Sequence, residues 1–215
     1  MEIYDTEEER LDALKRWWKE NGQSTIVGLV LGIAVILGWN YWQDHKKAQA
    51  EQASALYSQL IQAIGADKKE SAEKLAERIK EQYPKTEYAA YSGFFLAKLK
   101  VQQGDLPKAQ AILKDIAAGP NKELSNVAKI RQVHLMLASG EYEQGLQLIN
   151  DVDPATSSSF SGNYDELVGD LYVALDRLDE ARSSYQKASD NGYKSPLLQF
   201  KIDDLTASEK IEIQK

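Results

Sequence analysis

The chain of 215 residues contains no cysteine. That excludes a disulfide framework, a thiolate zinc site and thiol chemistry. Proline is scarce at 5 residues, and no long low-complexity linker divides the sequence. An excess of basic charge is missing too. The 26 Lys and Arg against 33 Asp and Glu leave a net charge of −7, whereas a nucleic-acid surface calls for a basic stripe. The two histidines, His45 and His134, are too far apart for an HExxH metal motif. No GxxxxGK phosphate loop or GxSxG serine elbow occurs, and the carboxylates are scattered as solvated surface charges usually are. The expectation is a chain that is not an enzyme and binds no cofactor, metal or nucleic acid.

Long apolar runs are equally rare, and the single one present organises the rest. Thr25 to Gly38, TIVGLVLGIAVILG, carries no charge. With its flanks it reaches roughly 20 residues, the length a helix needs to cross about 30 Å of hydrocarbon. All four tryptophans border it: Trp17 and Trp18 before, Trp39 and Trp42 after, with Tyr41 beside them. Indole and phenol rings favour the headgroup layer, and from Trp18 to Trp39 a helix rises about 32 Å. A buried core helix would leave that clustering unexplained. Residues 24–42 are therefore expected to form a transmembrane signal-anchor helix.

Arg10, Lys15, Arg16 and Lys19 precede the span, whereas only Lys46 and Lys47 follow it before Lys68. The positive-inside rule then places residues 1–23 in the cytoplasm and residues 43–206 outside, in a bacterium the periplasm, with 207–215 as a polar tail. Ala48-Gln49-Ala50 resembles a cleavage site. However, His45, Lys46 and Lys47 separate it from the apolar run, and the leader is acidic (Glu2, Asp5, Glu7, Glu8, Glu9, Asp12). An uncleaved anchor is the expected outcome.

Behind the span the periodicity is helical and no alternating strand pattern emerges. Leu56, Leu60, Ile61 and Ile64 mark one helix face, and Ala72, Leu75, Ala76 and Ile79 a second, ending at Pro84. Thr156-Ser157-Ser158-Ser159 reads as a short loop. Three windows, 96–116, 132–150 and 168–188, align on turns at Gly104, Gly140 and Asp176, each 36 residues after the last. Two residues after each turn comes Leu106, Tyr142 or Leu178; five after it comes a small residue, Ala109, Gly145 or Ala181. A period of this length means stacked helical hairpins. In the third window Gly169, Tyr172, Ala181, Tyr185 and Ala188 match the small and aromatic positions of the tetratricopeptide repeat. Leu197, Leu198, Phe200, Ile202 and Leu205, behind Ser195-Pro196, suggest a helix capping the open end. The expected fold is all-α: one N-terminal transmembrane helix, then a tetratricopeptide-like solenoid.

The opening MEIYDTEEERLDALKRWWKENG, the span, GWNYWQDHKK after it and FKIDDL (Phe200 to Leu205) closely resemble the YfgM family across essentially the whole chain. The resemblance implies a bacterial inner-membrane protein with a periplasmic tetratricopeptide-like domain. It also implies an ancillary subunit of the SecYEG translocon, partnered with the chaperone PpiD, that helps pass exported polypeptides to periplasmic chaperones.

Stacked hairpins present a groove lined by the first helix of each pair. In the aligned register Tyr91, Phe94, Lys98, Ile130, His134, Asn163, Glu166 and Asp170 face it. Such a mixed surface suits an extended or unfolded polypeptide, although Phe94 and Ile130 also fit ordinary inter-helix core. Basic and Asn residues that grip a terminal carboxylate in some tetratricopeptide proteins are missing at these places, so recognition of an acidic C-terminal tail is not expected. Within the span Gly28 and Gly32 form a GxxxG that could pack against another helix. Leu11, Leu14, Trp17 and Trp18 form an apolar stripe, either an interfacial extension of the membrane helix or a docking helix. The other functional class is a membrane-anchored scaffold or regulator binding a specific envelope or cytoplasmic signalling partner.

Overall fold

A computed structural model describes the backbone of residues 7–212 and the side chains of residues 9–205. Every element among them is helical: α1 (Glu7–Gly65), α2 (Lys69–Gln82), α3 (Glu87–Gln102), α4 (Leu106–Ala117), α5 (Lys122–Ser139), α6 (Tyr142–Asn150), α7 (Pro154–Ser157), α8 (Ser161–Ala174), α9 (Leu178–Asp190) and α10 (Leu198–Glu212). The chain divides into two units, Met1–Gln52 and Ala53–Lys215, and α1 supplies residues to both. The acidic leader residues Glu2 and Asp5 lie outside the described residues. The polar tail expected over 207–215 overlaps the end of α10, whose backbone is helical to Glu212.

The described part of the first unit is one stretch of α1, and it holds the one segment among the described residues long and apolar enough to cross a membrane. Its side chains from Ile26 to Leu37 are exposed, as are Trp17, Trp18, Trp39 and Trp42. The indole of Trp18 lies over Gly22, and Trp39 and Trp42 pair with ring centroids 5.2 Å apart. Where the apolar run begins, the Thr25 hydroxyl donates to the Asn21 carbonyl at 2.9 Å, so its polar atom is satisfied within the helix.

In the second unit the hairpins α3–α4, α5–α6 and α8–α9 turn at Gly104, Gly140 and Asp176. All three residues adopt a left-handed backbone, with φ of 79°, 82° and 60°. A fourth hairpin, formed by the end of α1 and α2, turns at Asp67 with φ of 53°. The four turns share one hydrogen bond. The amide of the residue after the turn donates to the carbonyl five residues back, in the pairs 68 to 63, 105 to 100, 141 to 136 and 177 to 172, at 2.8–2.9 Å. This is the Schellman closure, and it needs a residue that tolerates positive φ, hence Gly or Asp.

Five residues after each turn the small residue is buried: Ala72, Ala109, Gly145 and Ala181. Four further on stands a residue that faces one of the first helix across the hairpin, and in three of the four pairs a large residue meets a small one. Leu60 faces the side of Ala76, Ala97 that of Leu113, Val133 that of Ile149, and Gly169 that of Tyr185. Each pair is separated by 16 residues, and each shares one apolar cluster or contact. Fully burying a Leu or Ile such as Leu60 or Ile79 stabilises by about 2 kcal/mol, so these columns are the core that stacks the hairpins.

Two expectations are corrected. Ile61 and Ile64 are not part of the buried face of α1: they are 49% and 39% exposed, because α2 packs on the Leu60 and Ala63 side. The segment 156–159 is not an irregular loop but the end of α7 followed by a 3-10 turn. Asp153 accepts from the Ala155 amide at 3.0 Å and Pro154 occupies the first helical position, which starts a helix there. Beyond α9, α10 buries Leu198 and Leu205 against Ala181, Tyr185 and Ala188, with Leu197 and Phe200 left exposed.

Candidate functional site

The first helices of the hairpins, the end of α1, α3, α5 and α8, form the candidate groove. At its start is an aromatic group. Tyr91 lies 5.9 Å from Tyr57 and 6.0 Å from Tyr88, centroid to centroid, and donates to Glu87 Oε2 at 3.3 Å. Desolvation, with the neighbouring Glu87 carboxylate, raises its pKa. Phe94 is half-buried against Ala97, Leu113 and Ala128, and carries the Arg131 guanidinium over its ring at 4.4 Å. It is both core and groove, and its exposed face belongs to a cation–π pair. Lys98 is exposed. Ile130 is half-buried and packs on Val133, Leu167 and Leu171, so it serves chiefly the core. His134 is exposed, and partial desolvation, with the Lys201 cation, lowers its pKa against the opposing pull of Asp170 and Glu166.

The three groove residues expected on α8 are engaged by the chain itself. Lys201 of α10 donates to Glu166 Oε1 at 2.9 Å and to both oxygens of Asp170, at 2.6 and 2.9 Å. Tyr185 donates to Asp170 at 2.7 Å, Ser195 to Glu166 at 3.2 Å, and Asn163 to the Tyr193 hydroxyl at 3.0 Å. Burial works against the Lys201 charge, yet the hydrogen bonds to Asp170 and Glu166 hold its pKa above the usual lysine value. This end of the groove is an anchoring network for α10. Deeper between α5 and α8, buried Asn126 accepts from Tyr164 at 2.8 Å and donates to the Thr156 carbonyl at 2.9 Å, and burial pushes the Tyr164 hydroxyl up to about 12.

Tyr57, against Tyr88 and Tyr91, and Ile64, in a pocket with Lys98, adjoin the candidate positions and were not among those expected. The signal was available: Asp67 precedes Gly104 by 37 residues, which puts the end of α1 into the repeat register. In the first unit, a side chain added at Gly28 or Gly32 would meet nothing within 4 Å, so the GxxxG face is open. Among the described residues no group of three His, Asp or Glu side chains converges as metal ligands would.

Left-handed turns in fixed register, small residues behind them and a capping helix define a tetratricopeptide-like solenoid, here preceded by one long apolar helix. The family model of the tetratricopeptide repeat-like domain matches residues 15–207. A relative from Aggregatibacter actinomycetemcomitans is 32% identical over 93% of this chain and 97% of its own length. One from Haemophilus influenzae is 32% identical over 86% and 90%, and one from Escherichia coli 28% identical over 96% and 100%. Each carries the name ancillary SecYEG translocon subunit. The chain belongs to this tetratricopeptide-like family, the one its opening block resembles. No solved structure matches it.

Proposed function

We propose that this chain is an ancillary subunit of the SecYEG translocon in a bacterial inner membrane. Residues 24–42 anchor it as a single span, with residues 1–23 in the cytoplasm and the helical-hairpin domain on the periplasmic side. There, with the chaperone PpiD, it helps transfer exported polypeptides from the channel to periplasmic chaperones. The role is one of binding rather than catalysis. The observation that carries the reading is full-length similarity to relatives bearing the translocon-subunit name, over both the apolar helix and the repeats. The Lys and Arg asymmetry around the span supports the orientation, and the open face at Gly28 and Gly32 supports packing against a membrane-embedded partner.

The test is photo-crosslinking in cells from Tyr91 and His134. Adducts to the channel and to many emerging exported chains are expected; one dominant folded partner would instead make the chain a dedicated scaffold. Replacing Gly28 and Gly32 together by Leu should leave membrane insertion intact and reduce co-purification with the channel. Unchanged co-purification would remove the span from the proposed interface.

A further inference from the structure

Three residues before each of the four hairpin turns stands a branched apolar residue: Ile64, Val101, Leu137 and Val173, at spacings of 37, 36 and 36 residues. Residues in a repeat register are expected in the core, yet Val101 and Val173 are 39% and 42% exposed, and Ile64 is similarly open. Leu137 is half-buried at the edge of its cluster. These four positions therefore form an apolar column along the first helices on their solvent side. Exposed apolar residues repeated in register, rather than scattered singly, mark an interaction surface.

Next to the column's first member is a pocket of about 290 Å³. Its apolar wall is Ile64, Phe95 and Leu99, and its rim carries Lys68, Lys69 and Lys98, with Asp67 at the turn. Among the described residues the pocket's three lysines make no ion pair, whereas Lys80 and Lys100 nearby are bound to Asp115 and Glu73. At the other end of the groove the carboxylates of Glu166 and Asp170 are already held by Lys201. In a chain of net charge −7, the open positive charge of the groove thus sits beside its apolar entrance. Lys68 and Lys69 belong to the turn into α2, outside the groove positions of the first helices.

We propose that this face binds an extended polypeptide segment whose apolar side chains seat on the Ile64–Val101–Leu137–Val173 column while carboxylates beside them meet Lys68, Lys69 and Lys98. Neighbouring first helices pack on the order of 10 Å apart, and an extended chain advances roughly 3.3 Å per residue, so the column reads about every third residue. The preferred ligand is an apolar segment with acidic flanks; one with basic flanks is disfavoured by like-charge repulsion. The inference rests on the reading of this domain as a surface for exported polypeptides, and it names which segments the domain takes.

The experiment uses the full chain in lipid nanodiscs and fluorescent 12-residue peptides with Leu or Val at every third position. One peptide has Asp and Glu between the apolar residues, and the other has Lys. Binding is followed by anisotropy. The acidic peptide is expected to bind at least about tenfold more tightly, with the preference shrinking as salt rises. Lys68→Glu with Lys98→Glu should reverse the preference, and Val101→Ser with Val173→Ser, both at exposed positions, should weaken the acidic peptide by about tenfold. Equal binding of the two peptides to the native chain, or an unchanged affinity after the valine replacements, overturns this inference alone. Failure of both peptides to bind overturns it and removes the polypeptide-handling role as well.

Discussion

The first and last hairpins obey one register and differ in what fills it. In the first, a large residue on the leading helix meets a small one on the returning helix, Leu60 with Ala76. In the last, the order is inverted to its limit: Gly169 has no side chain and the Tyr185 ring lies directly on its backbone. The groove positions differ in the same way. The first hairpin shows Ile61 and Ile64 to solvent, whereas the last has Glu166 and Asp170 clasped by Lys201. What the hairpins share is the turn geometry and the register of the facing positions, not the residue type. One end thereby keeps apolar residues open to solvent and the other is closed by its own terminal helix.

The contrast breaks most severely at Gly169. A Val there overlaps the Tyr185 ring and is expected to destabilise the full chain by about 3 kcal/mol, with partial recovery on adding Tyr185→Leu. Thermal unfolding in detergent measures both. An absence of recovery would mean that Gly169 and Tyr185 are not a size-compensating pair. The volume-matched pair Ala97 and Leu113 makes the second hairpin a control: Ala97→Gly should cost only about 1 kcal/mol.

Lys201→Met removes the cation and leaves two carboxylates behind, an expected loss of about 2 kcal/mol concentrated in α10. Hydrogen exchange at residues 198–205 should accelerate while that of α2 and α3 stays unchanged. The pH dependence has a defined sign. The folded pKa of Lys201 lies above its ordinary value of 10.5, so the network's contribution is complete below that pH and is lost as pH rises through the folded value. Detachment of α10 is therefore an alkaline event. His134 acts in the opposite sense: its pKa is lowered, so protonation below its ordinary 6.5 costs stability as the pH falls.

The smallest effects concern the turns. Gly104→Ala should cost about 1 kcal/mol, because alanine resists positive φ, whereas Asp176→Gly should be neutral or stabilising by a few tenths of a kcal/mol. Equal responses at the two sites, read as changes in unfolding temperature, would show that the two turns do not share one backbone geometry.

Much of this was legible in the residues. An uncharged run bordered by tryptophans and a 36-residue spacing of Gly, Gly and Asp are local signals, and the left-handed backbone at all three turns follows from them. The first hairpin was harder to see. Its turn is an Asp followed by two lysines, and its leading helix is the end of a segment dominated by the apolar span. Ile61 and Ile64 look like core on a helical wheel, and only the placement of α2 shows that they are not. Glu166 and Asp170 were expected to face the groove, but nothing in their own surroundings announces Lys201, 31 residues beyond Asp170.

By itself the sequence determined what depends on neighbours along the chain. Helix periodicity, turns that require positive φ, the position of the small residues and the length of the apolar run are set by backbone sterics and by the transfer of side chains from water. Tertiary structure decided which matching positions remained useful. Packing of one helix on another selects a buried side and an exposed one, and a terminal helix arriving from elsewhere neutralises some charges and leaves others open. Those choices depend on contacts between residues far apart in the chain, which no local pattern encodes.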